Sequence, residues 1–190
     1  KFEHFISKKA MNIEELGPKT IDLMFDNNLI KNIADLYSIE YEDLLPFKKD
    51  GKKWASNVIE GIKKSKNIPF EKLLFALGIR YVGETVSLKL CKNLNNIDNI
   101  ISSTFEDLIN IDEIGERIAN SVIDYFNIAD NLDLIEKLKG FGLQFTYISN
   151  VSSNLLKGEN IVISGKFEDY SRDELKNLVE KHNGKNLSSI

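Results

Sequence analysis

The stretch Asn110-Ile111-Asp112-Glu113-Ile114-Gly115 echoes Asn12-Ile13-Glu14-Glu15-Leu16-Gly17 nearly a hundred residues earlier. Both place an apolar residue four positions before a glycine and another directly before it, and Ile79-Arg80-Tyr81-Val82-Gly83 has the same pattern. With Gly51 included, the glycines are 34, 32 and 32 residues apart, a period that points to a repeated supersecondary unit. Tyr41-Glu42-Asp43-Leu44-Leu45 before Gly51 likewise matches Phe105-Glu106-Asp107-Leu108-Ile109 before Gly115, with the same separation between last apolar residue and glycine. Repeats one and two together therefore resemble repeats three and four together, and a duplicated pair is the simplest reading.

Each glycine lies between two helical patterns. Upstream of Gly83, Phe70, Leu73, Leu74 and Leu77 recur at helical spacing; downstream, a helix beginning near Glu84 carries Val86, Leu88, Leu90 and Cys91. After Gly115, Ile118, Val122, Ile123 and Phe126 line another face, and Pro18 after Gly17 suits a first helical turn, where its missing N–H costs nothing. The unit is a helix, a short hairpin with a glycine, and a second helix. The glycine allows either a backbone conformation or a close ligand approach that a side chain would obstruct. The N–H groups opening the second helix have no partners within it, and the helix dipole favours an anion there. A phosphate fits, and two such hairpins side by side can hold phosphates of both strands across a minor groove without reading sequence. The competing reading makes each glycine an ordinary helix cap in an all-α bundle; four in register with matching flanks favour the repeat.

The totals are those of a globular chain: 190 residues, 42% hydrophobic and 28% charged. No apolar run approaches a membrane span, and the opening residues lack a signal-peptide pattern. Cys91 is the only cysteine, which excludes an internal disulfide and argues against a cysteine-built zinc site. A reducing cytoplasm fits. A net charge of -4 opposes a simple polycationic DNA binder, but the charge is unevenly spread. Lys48 to Lys66 contains seven lysines against Asp50 and Glu60, a net +5, whereas Asp98 to Glu136 contains ten acidic residues against Arg117 alone, a net -9.

The run Phe5-Ile6-Ser7-Lys8-Lys9-Ala10-Met11-Asn12-Ile13 leading to Leu16-Gly17-Pro18-Lys19-Thr20 resembles the segment after the zinc module of bacterial NAD-dependent DNA ligases. Pro69-Phe70-Glu71-Lys72-Leu73-Leu74-Phe75-Ala76-Leu77-Gly78-Ile79-Arg80-Tyr81-Val82-Gly83-Glu84-Thr85-Val86 is similar to that family's third helix-hairpin-helix motif, a long and specific match. The resemblance implies the C-terminal part of such a ligase: an all-α domain of four tandem helix-hairpin-helix repeats in two paired units, binding nicked duplex DNA in replication and repair. It implies that the catalytic and zinc modules lie upstream, that NAD, a divalent metal ion and a structural zinc belong to the parent enzyme, and that this chain has no catalytic residue and binds no metal or cofactor itself. The expected location is the bacterial cytoplasm, on the nucleoid. The expected DNA-binding residues are Gly17, Lys19, Thr20, Lys49, Gly51, Lys52, Lys53, Arg80, Gly83, Glu84, Thr85, Gly115 and Arg117. The second motif departs from the family pattern, with Lys49 where glycine is usual and Asp50 where an apolar residue is usual.

Lys48-Lys49-Asp50-Gly51 also spells the K-x-D-G sequence of ligase active sites. A nucleophilic lysine needs a pocket that lowers its pKa and a bound nucleotide to attack. Here the sequence sits among crowded lysines in phase with a repeat hairpin, and the hairpin reading is preferred. His4 and His182 are expected in surface roles, and Trp54 as an interface or core anchor near the second hairpin.

The repeat pattern fades after Leu138. Lys139-Gly140-Phe141-Gly142 is expected to end a helix, Leu143 to Tyr147 to form an extended tail, and 148–155 to be a linker. Ile161-Val162-Ile163 then reads as a buried strand with a turn at Ser164-Gly165. A helix capped by Ser171 and Glu174 should run to about Lys181, and a second strand should begin at Lys185 and continue to Ile190. Residues 156–190 resemble the opening of a BRCT domain through Leu156, Gly158, the strand and turn, Arg172 and Gly184, although Asn183 stands where that family usually has a glycine. In phosphate-binding members a serine and glycine at this turn accept phosphate; Ser164 and Gly165 match, with turn capping as the preferred role for Ser164. Two other functions remain open on the residues alone: the DNA-binding module of a repair nuclease, and a protein-interaction module without a DNA role.

Overall fold

The computed structural model describes residues 1–149 and 151–187. It divides into two compact units, Lys1–Ile148 and Ser149–Ile190. The first unit is helical: α1 Phe2–Ile6, α2 Pro18–Asp26, α3 Tyr41–Leu44, α4 Lys52–Ser65, α5 Phe70–Ala76, α6 Glu84–Leu94, α7 Ile97–Ser102, α8 Phe105–Ile109, α9 Glu116–Phe126 and α10 Ala129–Gly140, with a 3₁₀ segment Ile33–Ser38 between α2 and α3. None of the described helices is long and apolar enough to cross a membrane.

The halves of this unit share capping chemistry as well as order. Asn32 starts the 3₁₀ segment and Asn96 starts α7, each accepting a backbone N–H with its side chain. Glu40 and Thr104 then open α3 and α8, and the aspartate three residues on, Asp43 or Asp107, accepts the backbone N–H of each. At α8 the Thr104 hydroxyl accepts the Asp107 N–H in return, which satisfies a second donor that the helix start would otherwise leave unpaired. Leu44 and Leu108, at matching positions, are fully buried.

One apolar core runs from Phe5 to Phe145, with Phe5, Met24, Leu36, Phe70, Leu73, Leu74, Leu90 and Ile100 among the residues removed from water. Each such large side chain contributes about 1.5–3 kcal/mol relative to exposure. The inward face of α6 is shifted from the expected one: Ser87, Leu90 and Cys91 are buried, while Val86 and Leu88 are only half-buried. The stripe starts at a small polar residue, which hydropathy spacing passes over. On α9 the buried face is Ala119, Val122 and Phe126. His4 is a packing residue rather than a surface one: it donates Nε2–H to the Phe75 carbonyl at 2.8 Å, and its ring meets Phe75 edge-on at 4.6 Å. The extended tail docks, with Leu143 and Phe145 buried and Ile97 donating its N–H to the Phe145 carbonyl.

In the second unit β1 Asn160–Val162 pairs in parallel with β2 Lys185–Leu187, and α11 Arg172–Lys181 forms the crossover. The strand begins one residue earlier than expected and is exposed to half-buried rather than buried. Ser171 and Glu174 form the expected capping box. Gly184 is required by packing, since a Cβ there would lie 2.8 Å from the Val179 side chain. The expected continuation of β2 from Ser188 to Ile190 lies outside the described residues, as does Asn150 of the linker.

Candidate nucleic-acid interface

Gly17, Gly83 and Gly115 are the N-cap residues of α2, α6 and α9. Their backbones are extended, at φ -98°, -85° and -88°, so no left-handed geometry calls for glycine. A Cβ at any of the three would meet nothing within 4 Å. The conformational reason for glycine therefore fails here, and internal crowding fails with it. The left-handed residue is two positions earlier: Glu15 at φ 66°, Tyr81 at 64° and Glu113 at 64°. None of the three caps supplies the side-chain acceptor that a serine, threonine, aspartate or asparagine would offer. α6 and α9 thus begin with uncapped amides beside an unoccupied Cβ position, whereas α2 begins at Pro18, which has no N–H, so its first amide is that of Lys19.

Gly51 differs. It is buried, and a Cβ would lie 2.7 Å from the Lys48 carbonyl oxygen. Its N–H closes a tight turn to that oxygen at 2.9 Å, and the left-handed residue is its neighbour Asp50, at φ 57°. The irregular motif therefore shifts the left-handed position by one, and its glycine serves packing rather than an open surface. Lys48, Lys49, Lys52 and Lys53 are exposed around it. The Lys48 ammonium rests over the half-buried Trp54 ring, 5.7 Å from its centroid.

Hairpins three and four are tied together. Ser121 on α9 donates its hydroxyl to the Arg80 carbonyl at 2.7 Å. Lys89 on α6 reaches the Asp112 carbonyl at 3.4 Å and pairs with Glu113 at 2.8 Å, and these partners push its pKa up, the Glu113 hydrogen bond foremost. The guanidiniums of Arg80 and Arg117 lie over the Tyr81 ring, 4.9 and 4.7 Å from its centroid, and Arg117 Nη2 donates to the Tyr81 hydroxyl at 3.0 Å. Hairpins one and two also meet, because a Cβ on the buried Gly61 of α4 would touch the Glu14 carbonyl oxygen at 3.2 Å.

Of the other expected residues, Lys19, Thr85 and Arg80 are exposed and Thr20 is half-buried. Glu84 is exposed and pairs with Lys9 at 3.1 Å. In the second unit Ser164 is exposed, Gly165 has φ 97°, and the Arg172 guanidinium closes the turn by donating twice to the Gly165 carbonyl. Arginine rather than Ser164 holds that turn. Hydropathy and glycine spacing missed Lys89, Ser121 and the special position of Tyr81. A register signal was present, because Lys89 and Ser121 each stand six residues after their glycine.

Residues 72–135, which contain hairpins three and four, match the family model described as the helix-hairpin-helix motif. The whole chain is 49% identical to a protein named DNA ligase from Flavobacterium psychrophilum, 49% to one from Bacteroides fragilis and 47% to one from Phocaeicola vulgatus. All of this chain is covered in each comparison, against 29% of each relative's length. The chain is thus a segment of the DNA ligase family, spanning 29% of its relatives' length.

Proposed function

We propose that this chain is the DNA-binding portion, in the C-terminal part, of a bacterial NAD-dependent DNA ligase, and that it holds nicked duplex through minor-groove phosphates without reading sequence. The observation that carries this reading is the set of bare caps at Gly17, Gly83 and Gly115. There a side chain would be free of strain and clash inside the protein, yet none is present. Open amides at a helix start suit a phosphate oxygen, and a Cβ would stand in its way.

In this reading the amides of Lys19 after Pro18, of Glu84 and Thr85, and of Glu116 and Arg117 donate to phosphate oxygens. Lys19, Thr20, Arg80 and Arg117 flank these contacts. Gly51 leaves the set of direct contacts because it is buried against its own hairpin; Lys49, Lys52 and Lys53 act there by charge. Such contacts position the duplex for a catalytic module upstream and perform no chemistry. NAD would supply the adenylate to that module, with a divalent metal ion and a structural zinc also held upstream. Among the described residues no group of three or more histidine, cysteine, aspartate or glutamate side chains is placed to hold an ion. We assign residues 1–147 to the repeats, 148–155 to a linker and 156–190 to the opening of a BRCT-like domain, with the parent acting in replication and repair in the bacterial cytoplasm, on the nucleoid.

The test is fluorescence anisotropy with labelled nicked duplex, intact duplex and single strand over a range of salt. Duplex binding that ignores sequence and weakens linearly in log salt is expected. A chain that binds single strand better than duplex, or neither, refutes the reading.

A further inference from the structure

The ties between hairpins three and four are reciprocal. Lys89 and Ser121 stand at the same distance after their glycines, and each reaches the carbonyl of the residue three before the other glycine, Asp112 or Arg80. One position further along, the symmetry breaks. Hairpin four has Glu113, neutralised by Lys89; hairpin three has Tyr81, 44% exposed, with two guanidiniums over its ring. Neither arginine has a carboxylate partner among the described residues. Each lies within 5 Å of the same ring centroid, so the two charges are no more than about 10 Å apart. They sit within or beside the stretch whose net charge is strongly negative, where a free arginine would find carboxylates to pair with. The aromatic quadrupole attracts both cations and the phenol oxygen fixes one of them, which holds the pair away from those acids and limits the freedom lost on binding an anion.

We propose that Tyr81 is a positioning residue that holds Arg80 and Arg117 as a paired guanidinium clamp for backbone phosphates, making hairpin three the stronger grip of its pair. This rests on the DNA-binding reading above. Planar guanidiniums bind phosphate oxygens in a fixed fork, so their orientation matters as well as their charge.

A double-mutant cycle tests it. The 190-residue chain and its Tyr81→Leu, Tyr81→Phe, Arg117→Gln, Tyr81→Leu/Arg117→Gln and Tyr81→Phe/Arg117→Gln variants are titrated against nicked duplex at fixed salt, with urea unfolding in parallel. Tyr81→Leu should weaken binding about 3- to 20-fold, and Tyr81→Phe, which keeps the ring, by about 3-fold or less. The Tyr81→Phe loss should largely disappear when Arg117 is already glutamine, and the Tyr81→Leu loss should shrink to the part carried through Arg80. A tyrosine with only a structural role would give losses that follow stability and add to the Arg117 loss. Additive losses, or a folded Tyr81→Leu chain that binds like the parent, overturn the clamp and leave the DNA-binding reading standing. If Tyr81→Leu does not fold, the Tyr81→Phe cycle decides by the same criterion. A parent chain that does not bind nicked duplex overturns both.

Discussion

Replacing Gly83 with serine should raise stability and lower DNA affinity in the same molecule. The backbone at this cap, φ -85° and ψ -177°, accepts any residue, and the new Cβ meets nothing within 4 Å. The hydroxyl can accept an N–H from the first turn of α6, which now receives no side-chain cap bond. Serine in place of glycine at an N-cap is worth a few tenths of a kcal/mol, so about 0.2–0.5 kcal/mol of added stability is expected. The same hydroxyl and Cβ occupy the position proposed for a phosphate oxygen. A hydrogen bond to a charged group is worth about 1.5–3 kcal/mol, and losing one raises the Kd by about 10- to 100-fold. Gly51→Ala provides the contrast. Its Cβ would lie 2.7 Å from the Lys48 carbonyl oxygen, so it should destabilise the fold by about 1–3 kcal/mol. Anisotropy with nicked duplex reads affinity, and urea unfolding reads stability. A folded Gly83→Ser chain with unchanged affinity would refute the argument that the bare cap serves phosphate, and one destabilised by more than about 1 kcal/mol would refute the argument that the site is unstrained.

Changing Lys49, Lys52 and Lys53 together to alanine should reduce the slope of log affinity against log salt by about 2–3, while Arg117→Ala should reduce it by at most about 1. A larger change from Arg117 would mean that the basic patch does not face DNA. Burial pushes the Tyr37 and Tyr125 phenols up to about 12, with the Ser65 hydrogen bond opposing the shift at Tyr37. The folded chain therefore holds these protons more tightly than the unfolded one. Each group's contribution is intact below about pH 10 and is lost as the pH rises toward 12, about 2–3 kcal/mol for two units. Urea unfolding from pH 9 to 12 should show this decline, and Tyr37→Phe should remove roughly half of it; an unchanged pH dependence in that variant would contradict the assignment. Thr104→Ala should destabilise the chain by about 1 kcal/mol through loss of the α8 cap, measured by the same unfolding.

The repeat was legible because it is written in residues whose role is local. Ile111, Ile114 and Gly115 mark apolar entry and helix start, and the structure places a buried pair and an N-cap there. The long run from Phe70 to Val86 likewise specified α5, the hairpin and α6. The purpose of the glycines was not legible, because glycine has the same letter whether it relieves strain, as its absence at Glu15 and Tyr81 shows it need not, or leaves a surface bare. Gly51 and Gly83 occupy matching positions in the repeat, yet one is packed against a carbonyl and the other is open. Lys89 and Ser121 acquire their roles only through neighbours more than twenty residues away, and Tyr81 in part through Arg117, beyond the reach of helical periodicity. Ser87 escaped for the opposite reason: a small hydroxyl fits a tight inward position that hydropathy assigns to Val86 or Leu88.

The reciprocal ties of Lys89 and Ser121 bear on how the third and fourth repeats can be divided. Each hairpin closes its own turn by a backbone hydrogen bond but borrows its side-chain brace from the other's helix. A cut between α7 and α8 would separate both braces from the loops they hold, and the two products should each lose amide protection around residues 79–83 and 111–115. Intact, the four braced segments should exchange their amides as one cooperative block rather than as two successive openings. The two hairpins lean on each other through these bonds, and the smallest piece expected to keep their geometry when excised is the pair.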